Sequence, residues 1–217
     1  MPKAITSSED ATADLRIAKS AQTRQRIIIS ATELFLRDGY SNTSLDQVAK
    51  DAGVTKPTVY SHFKSKKGLF DAVIQRFTSS PMKELAGLLE PSEDPRTDLI
   101  EFGDFFMVRS FEKDALRWKR LAAAESMTHP EVGEAFYQAG PAQLLSRLAM
   151  YFDLQTKAGR LSVSDSAGSA EQFIGTLLGL DSLRSQIGKP LPSAAKRKRR
   201  CRDAVDLFMT RHGADSC

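Results

Sequence analysis

Cysteine is nearly absent. The 217 residues hold only Cys201 and Cys217, and their spacing fits neither a metal site nor a CxxC pair, so two inert thiols in a reducing, cytoplasmic setting are expected. Histidine is also scarce: His62, His129 and His212 make no HExxH and no plausible ligand cluster, and neither a GxSxG elbow nor a P-loop occurs. No metal, no cofactor and no enzymatic activity are therefore expected. There is no run of about 18 apolar residues to cross a membrane. The first ten residues, MPKAITSSED, lack the apolar segment of a secretory leader. From Met82 onward no alternating strand pattern of useful length appears, and no repeat period is detectable.

What remains is an ordinary globular composition, 41% apolar and 27% charged. The net charge of +4 is unevenly placed: residues 1–80 hold 12 Lys/Arg against 8 Asp/Glu, and residues 81–217 hold 19 of each. The positive excess lies in the first third, the asymmetry expected if that third meets phosphates.

That third contains the most informative stretch, SLDQVAKDAGVTKPTVYSHF, residues 44–63. Leu45, Val48 and Ala49 fall on one helical face. Thr43 or Ser44 can cap this helix, and Gly53 can end it in the left-handed conformation. Thr55 can cap a second helix with Pro57 in its first turn, leaving Val59 and Phe63 to face inward. Two short helices around a Gly-containing turn make a helix-turn-helix.

The chain around it reads as all-α, with roughly nine or ten helices. Residues 1–19 are expected to be a flexible arm, becoming helical before Ser20 and either dispensable or touching DNA through Arg16 and Lys19. A helix over Ser20–Asp38 is ended by Gly39, with Tyr40 as an apolar anchor. A fourth helix starts near Ser65 and breaks or kinks at Pro81. Further helices are expected over 82–90, 97–111, 113–128, 131–138, 141–158, 172–186 and 197–210.

The pattern T-S-L-x-x-V-A-x-x-A-G-V-T-K-P-T-V-Y-x-H-F-K-S-K-x-x-L-F, preceded by Phe35 and Gly39, resembles the tetracycline-repressor (TetR) family of bacterial regulators over about residues 20–77. Arg117, Leu121, Glu125, Pro130, Glu131 and Phe136, followed by Gln138-Ala139-Gly140-Pro141, are similar to an AefR-like C-terminal regulatory domain. Gly68 departs from the family, which often has an acidic residue there, and is expected to loosen the first turn of the fourth helix. The resemblance implies a DNA-binding domain over 20–66 and a helical ligand-binding and dimerisation domain over 67–217. It implies a homodimer, most often a repressor, that binds a palindromic operator in double-stranded DNA and is released by a small apolar or amphipathic effector. The alternatives are a ligand-independent regulator, an activator, or a helical protein-interaction module.

A recognition helix must offer donors to base edges and phosphates. Lys56 and Thr58 lie at the end that usually enters the major groove, and Pro57 permits close approach. Tyr60, His62 and Lys66 are candidates for phosphates, with Thr43, Ser44 and Thr55 adding hydroxyl or backbone contacts at helix starts. Candidates for an apolar pocket are Phe102, Phe105, Phe106, Trp118, Met127, Phe136 and Tyr137. For a dimer seam they are Phe173, Gly175, Leu177, Gly179, Val205 and Phe208, the two glycines permitting close helix approach; intrachain packing is the alternative. The basic run Lys196–Arg200 reads as a solvated face or turn, with nucleic-acid binding or a localisation signal as alternatives.

Overall fold

Helix α1 begins well before the polar N-terminal sequence predicts. The structure, a computed structural model, describes residues 7–214, and α1 runs Ser7–Asn42. The arm expected over 1–19 is thus helical from Ser7, while residues 1–6 lie outside the described part. Extending a helix that is already nucleated adds one hydrogen bond per residue and needs no apolar face of its own. Arg16 and Lys19 are exposed along this extension. The regular φ/ψ values stop at Gly39 (φ 86°, ψ 166°), where the sequence placed the helix end.

The remaining elements are α2 (Leu45–Asp51), α3 (Lys56–Phe63), α4 (Lys66–Leu88), α5 (Pro95–Ser110), α6 (Lys113–Glu125), α7 (Pro130–Ala139), α8 (Pro141–Lys157), α9 (Ser166–Gln186) and α10 (Ala194–His212). The described residues hold no strand, only an isolated bridge between Leu161 and Gly213. Two compact units divide between Ile74 and Gln75, inside α4 rather than at its start. Pro81 does not break α4. The helix continues through it although a mid-helix proline lacks the N–H and crowds the carbonyl four residues back.

The first unit packs α1 to the start of α4 around Ile27, Ala31, Phe35, Val48, Val59 and Phe70, all at most 1% exposed. Tyr40 stacks on Phe35 at 5.7 Å and meets Phe70 edge-on at 5.2 Å. Buried Ser30 donates to Asp51 at 2.6 Å, tying α1 to α2. The expectation for Gly68 is overturned. Its N–H donates to Ser65 Oγ at 3.0 Å, and a Cβ there would lie 2.2 Å from the Phe63 carbonyl oxygen. Glycine is required by this close approach and does not loosen the turn.

The second unit is a helical layer around an aromatic core. Phe152 and Phe208 stack at 4.6 Å, Phe173 meets Phe208 at 5.4 Å, and Phe102 stacks on Phe106 at 5.9 Å. Helices α5 and α10 approach closely: a Cβ on Gly103 would stand 2.5 Å from Cys201 Sγ. Burial pushes the Cys201 thiol up to about 12, so it stays protonated and inert. Cys217 lies outside the described residues. Helix α9 starts at Ser166, earlier than expected, because Asp165 caps it by accepting from Gly168 N at 2.9 Å. Gly179 interrupts α9 (φ 48°, ψ −153°).

Candidate functional site

Local chemistry fixes the helix-turn-helix almost completely. Ser44 and Gln47 form a reciprocal capping box: Gln47 N donates to Ser44 Oγ at 3.2 Å, and Ser44 N donates to Gln47 Oε1 at 2.7 Å. At the other end of α2, Val54 N donates to Ala49 O at 2.9 Å and Gly53 N to Lys50 O at 3.3 Å, with Gly53 at φ 63°. This is a Schellman turn, which reverses the chain in few residues. Thr55 then caps α3 by accepting from Thr58 N at 3.4 Å.

The turn leaves Val59 and Phe63 buried, while Lys56, Pro57 and Tyr60 are exposed and Thr58 and His62 are half-buried. Lys56 Nζ pairs with Asp46 at 2.8 Å. Ser44 and Thr55 are exposed at the two helix starts. Two sequence candidates are placed differently. Thr43 is 2% exposed; its hydroxyl donates to Gly39 O at 2.7 Å and its N–H to Tyr40 O at 3.3 Å. Both donors are spent closing the end of α1, so Thr43 supports the site from beneath. Lys66 is half-buried, donates to Ser41 O at 3.0 Å and lies 4.5 Å from the Tyr40 ring centroid. It fastens the same α1 end before it can serve a phosphate.

The second unit contains a cavity of about 400 Å³, within the usual range for a small-molecule site. Helix α4 lines it with Phe77, Pro81, Met82 and Leu85, α8 with Leu144 and Leu145, and α9 with Ile174 and Leu178. Phe106 and Phe136 line it as expected. The other five candidates do not. Phe102 is fully buried in the core. Phe105 lies under the Arg109 guanidinium, 5.7 Å from its centroid. Trp118 is 1% exposed, against Phe77 at 6.0 Å. Met127 and Tyr137 point to solvent, 89% and 46% exposed. The sequence reading missed Lys119, Arg109, Ser110 and Glu112, which form a polar corner of the cavity. The available signal was Lys119 between Ala115 and Ala122, on the face that α6 turns inward.

Residues 27–73 match the model for "Bacterial regulatory proteins, tetR family", and residues 97–214 match the "AefR-like transcriptional repressor, C-terminal domain". The chain belongs to the TetR family. The family is one of bacterial helix-turn-helix transcriptional regulators. It is similar to the transcriptional activator FasR of Mycolicibacterium smegmatis, 33% identical over 113 residues, covering 50% of this chain and 49% of FasR. The chain thus spans about half of FasR's length. Among solved structures, a TetR-family regulator from Mesorhizobium loti superposes with a TM-score of 0.79 at 27% identity, covering 89% of this chain and 98% of that one. The flavonoid-responsive regulator FrrA superposes with a TM-score of 0.77 at 26% identity and the same coverage.

Within this TetR-family chain the expected dimer residues divide. Phe173, Leu177, Val205 and Phe208 are buried in the core of their own unit, because the intrachain contact of α9 with α10 takes the more apolar stripe of each helix. Gly175 and Gly179 are exposed. Beside them stand residues the sequence reading missed: Leu180 and Leu183 on α9 and Ile187 at its C-terminal cap, 65%, 56% and 62% exposed, and Leu207 on α10, 63% exposed.

The basic run is largely structural. Arg184, Lys196 and Arg200 surround the buried Asp181 carboxylate at 3.0, 3.1 and 2.9 Å. Burial alone would raise the Asp181 pKa, but these three cations outweigh it and hold the group below the usual carboxylate range. Arg200 also donates to Leu178 O at 2.9 Å, next to the Gly179 kink. Lys198 and Arg199 remain exposed. No helix of the described residues is long and apolar enough to cross a membrane.

Proposed function

We propose that the protein is a homodimeric repressor that grips a palindromic operator through α3 and its flanks and is released when a small apolar or amphipathic molecule fills the cavity of the second unit. The observation that carries this reading is the two-sidedness of α3. Val59 and Phe63 anchor it, while Lys56, Pro57 and Tyr60 stand outward at and after its N-terminal end, where base-reading residues of such helices lie. Ser44, Thr55, Thr58 and His62 supply flanking phosphate contacts. The exposed leucines of α9 and α10 supply the surface for a second copy. The cavity, and FrrA's description as flavonoid-responsive, support an effector.

Selection of sites from random duplexes at near-physiological salt tests the reading. A palindrome with half-sites about one helical turn apart, or a multiple of it, is the expected result. Salt-sensitive but sequence-blind binding would overturn specific regulation. FasR's description as an activator favours a second reading in which the bound protein raises transcription. A reporter behind the selected site separates the two: deleting the gene raises output for a repressor and lowers it for an activator.

A further inference from the structure

The cavity's chemistry is segregated. Its walls from α4, α8 and α9 are mainly apolar and uncharged, with Thr78 and Ser80 of α4 as neutral exceptions, whereas the corner where α5 passes into α6 carries the charged Arg109, Glu112 and Lys119 beside Ser110. Charge does not balance there. Glu112 is taken by Arg109 at 2.9 and 3.1 Å. Lys119 has no carboxylate partner among the described residues and donates instead to the Ser110 carbonyl at 3.0 Å, near the C-terminal end of α5. That is a neutral acceptor, and burial pulls the Lys119 pKa down to about 8. Arg109 Nε–H, on the same corner, is buried without a hydrogen-bond partner. A desolvated cation with no counter-ion is costly unless something entering the site supplies the anion. A neutral apolar guest fills the walls and leaves that cost in place, and a cationic guest adds to it.

We propose that the cavity is built for an apolar molecule bearing one anionic group, with its body along Phe77, Phe106, Leu144 and Ile174 and its charge at the Lys119 corner. This rests on the reading of the cavity as the effector site. It adds the sign of the ligand's charge and names Lys119 as the residue that selects it.

Calorimetric titration of the full-length protein with naphthylacetate, naphthylethanol and naphthylethylamine tests the proposal, since the three share one ring system and differ in charge. The wild-type protein should bind the acid roughly tenfold or more tighter than the alcohol, as expected for a charge-assisted hydrogen bond, with the amine weakest. Lys119→Met should lose the preference for the acid over the alcohol, and Lys119→Arg should keep it. An alcohol that binds as well as the acid, a preference that survives Lys119→Met, or no binding of the acid overturns the proposal. The wild-type ranking decides the matter even if Lys119→Met fails to fold. The titrations contain no DNA, so preferential binding of the acid with no effect on operator affinity supports the charge assignment and overturns only the release step.

Discussion

Lys56 Nζ lies 2.8 Å from Asp46 Oδ2, and the two side chains are 50% and 63% exposed. An exposed pair of this kind is screened by water, so it parks the lysine on α2 and adds little stability. Lys56→Ala should cost about 1–3 kcal/mol at one base pair and relax preference there. Asp46→Asn should strengthen binding to every duplex, because it removes both a competing acceptor and a negative charge. Anisotropy titrations on single-base operator variants check both. An equal loss for Lys56→Ala on all sequences would remove it as a reader.

Lys66→Met should lower the melting temperature of the protein as well as its DNA affinity. The variant takes a charged donor from the Ser41 carbonyl and a cation from the Tyr40 face, together about 1–2 kcal/mol. The affinity loss should be the same for all sequences, because a loosened α1 end misplaces the whole reading head. Unchanged melting with lost binding would instead make Lys66 a phosphate contact.

Leu183→Glu should yield a monomer in sedimentation at low concentration while helicity is unchanged, since Leu183 is 56% exposed and outside the core. Phe173→Ala should do the reverse and unfold the second unit, at a cost of about 3–5 kcal/mol, before dimerisation is affected.

Stability should rise with pH on account of Lys119. Its folded pKa of about 8 lies below the ordinary 10.5, so between these values the unfolded chain binds a proton that the folded chain has released. Below about pH 8 the folded protein carries the full cost of the buried cation, and the cost is relieved as pH climbs toward 10.5. The difference in melting temperature between the wild type and Lys119→Met should therefore shift in favour of the wild type over that window. A flat difference would place the lysine in water.

The reading head was legible in the sequence because it is built from local chemistry. The Ser44–Gln47 box, the Gly53 turn and the Thr55 cap each act over a few residues, and Val59 and Phe63 are spaced for one face. The cavity was not, because aromatic residues at helical spacing do not reveal whether the face they share meets another helix or a void. Phe102 and Phe106 lie on the same stripe of α5, and only Phe106 lines the cavity. The outward surface of α9 was misread for a different reason. The stripe begun at Phe173 and Leu177 is core, and the kink at Gly179 puts Leu180, Leu183 and Ile187 out of phase with it. The length of α1 escaped notice because a helix extended beyond its packed part needs no apolar pattern.

The same kink gives α9 two halves that can diverge separately. Ile174 and Leu178 precede it and line the cavity, while Leu180, Leu183 and Ile187 follow it and face outward. On the proposed reading of the cavity as effector site and of the outward leucines as the pairing surface, substitutions in the first half retune the chemical signal without disturbing how two copies recognise each other. On the same reading, substitutions in the second stop a duplicated copy from pairing with its parent while both still answer the same signal. One glycine, with Arg200 holding the carbonyl beside it, thus gives gene duplication two independent routes to a new regulator.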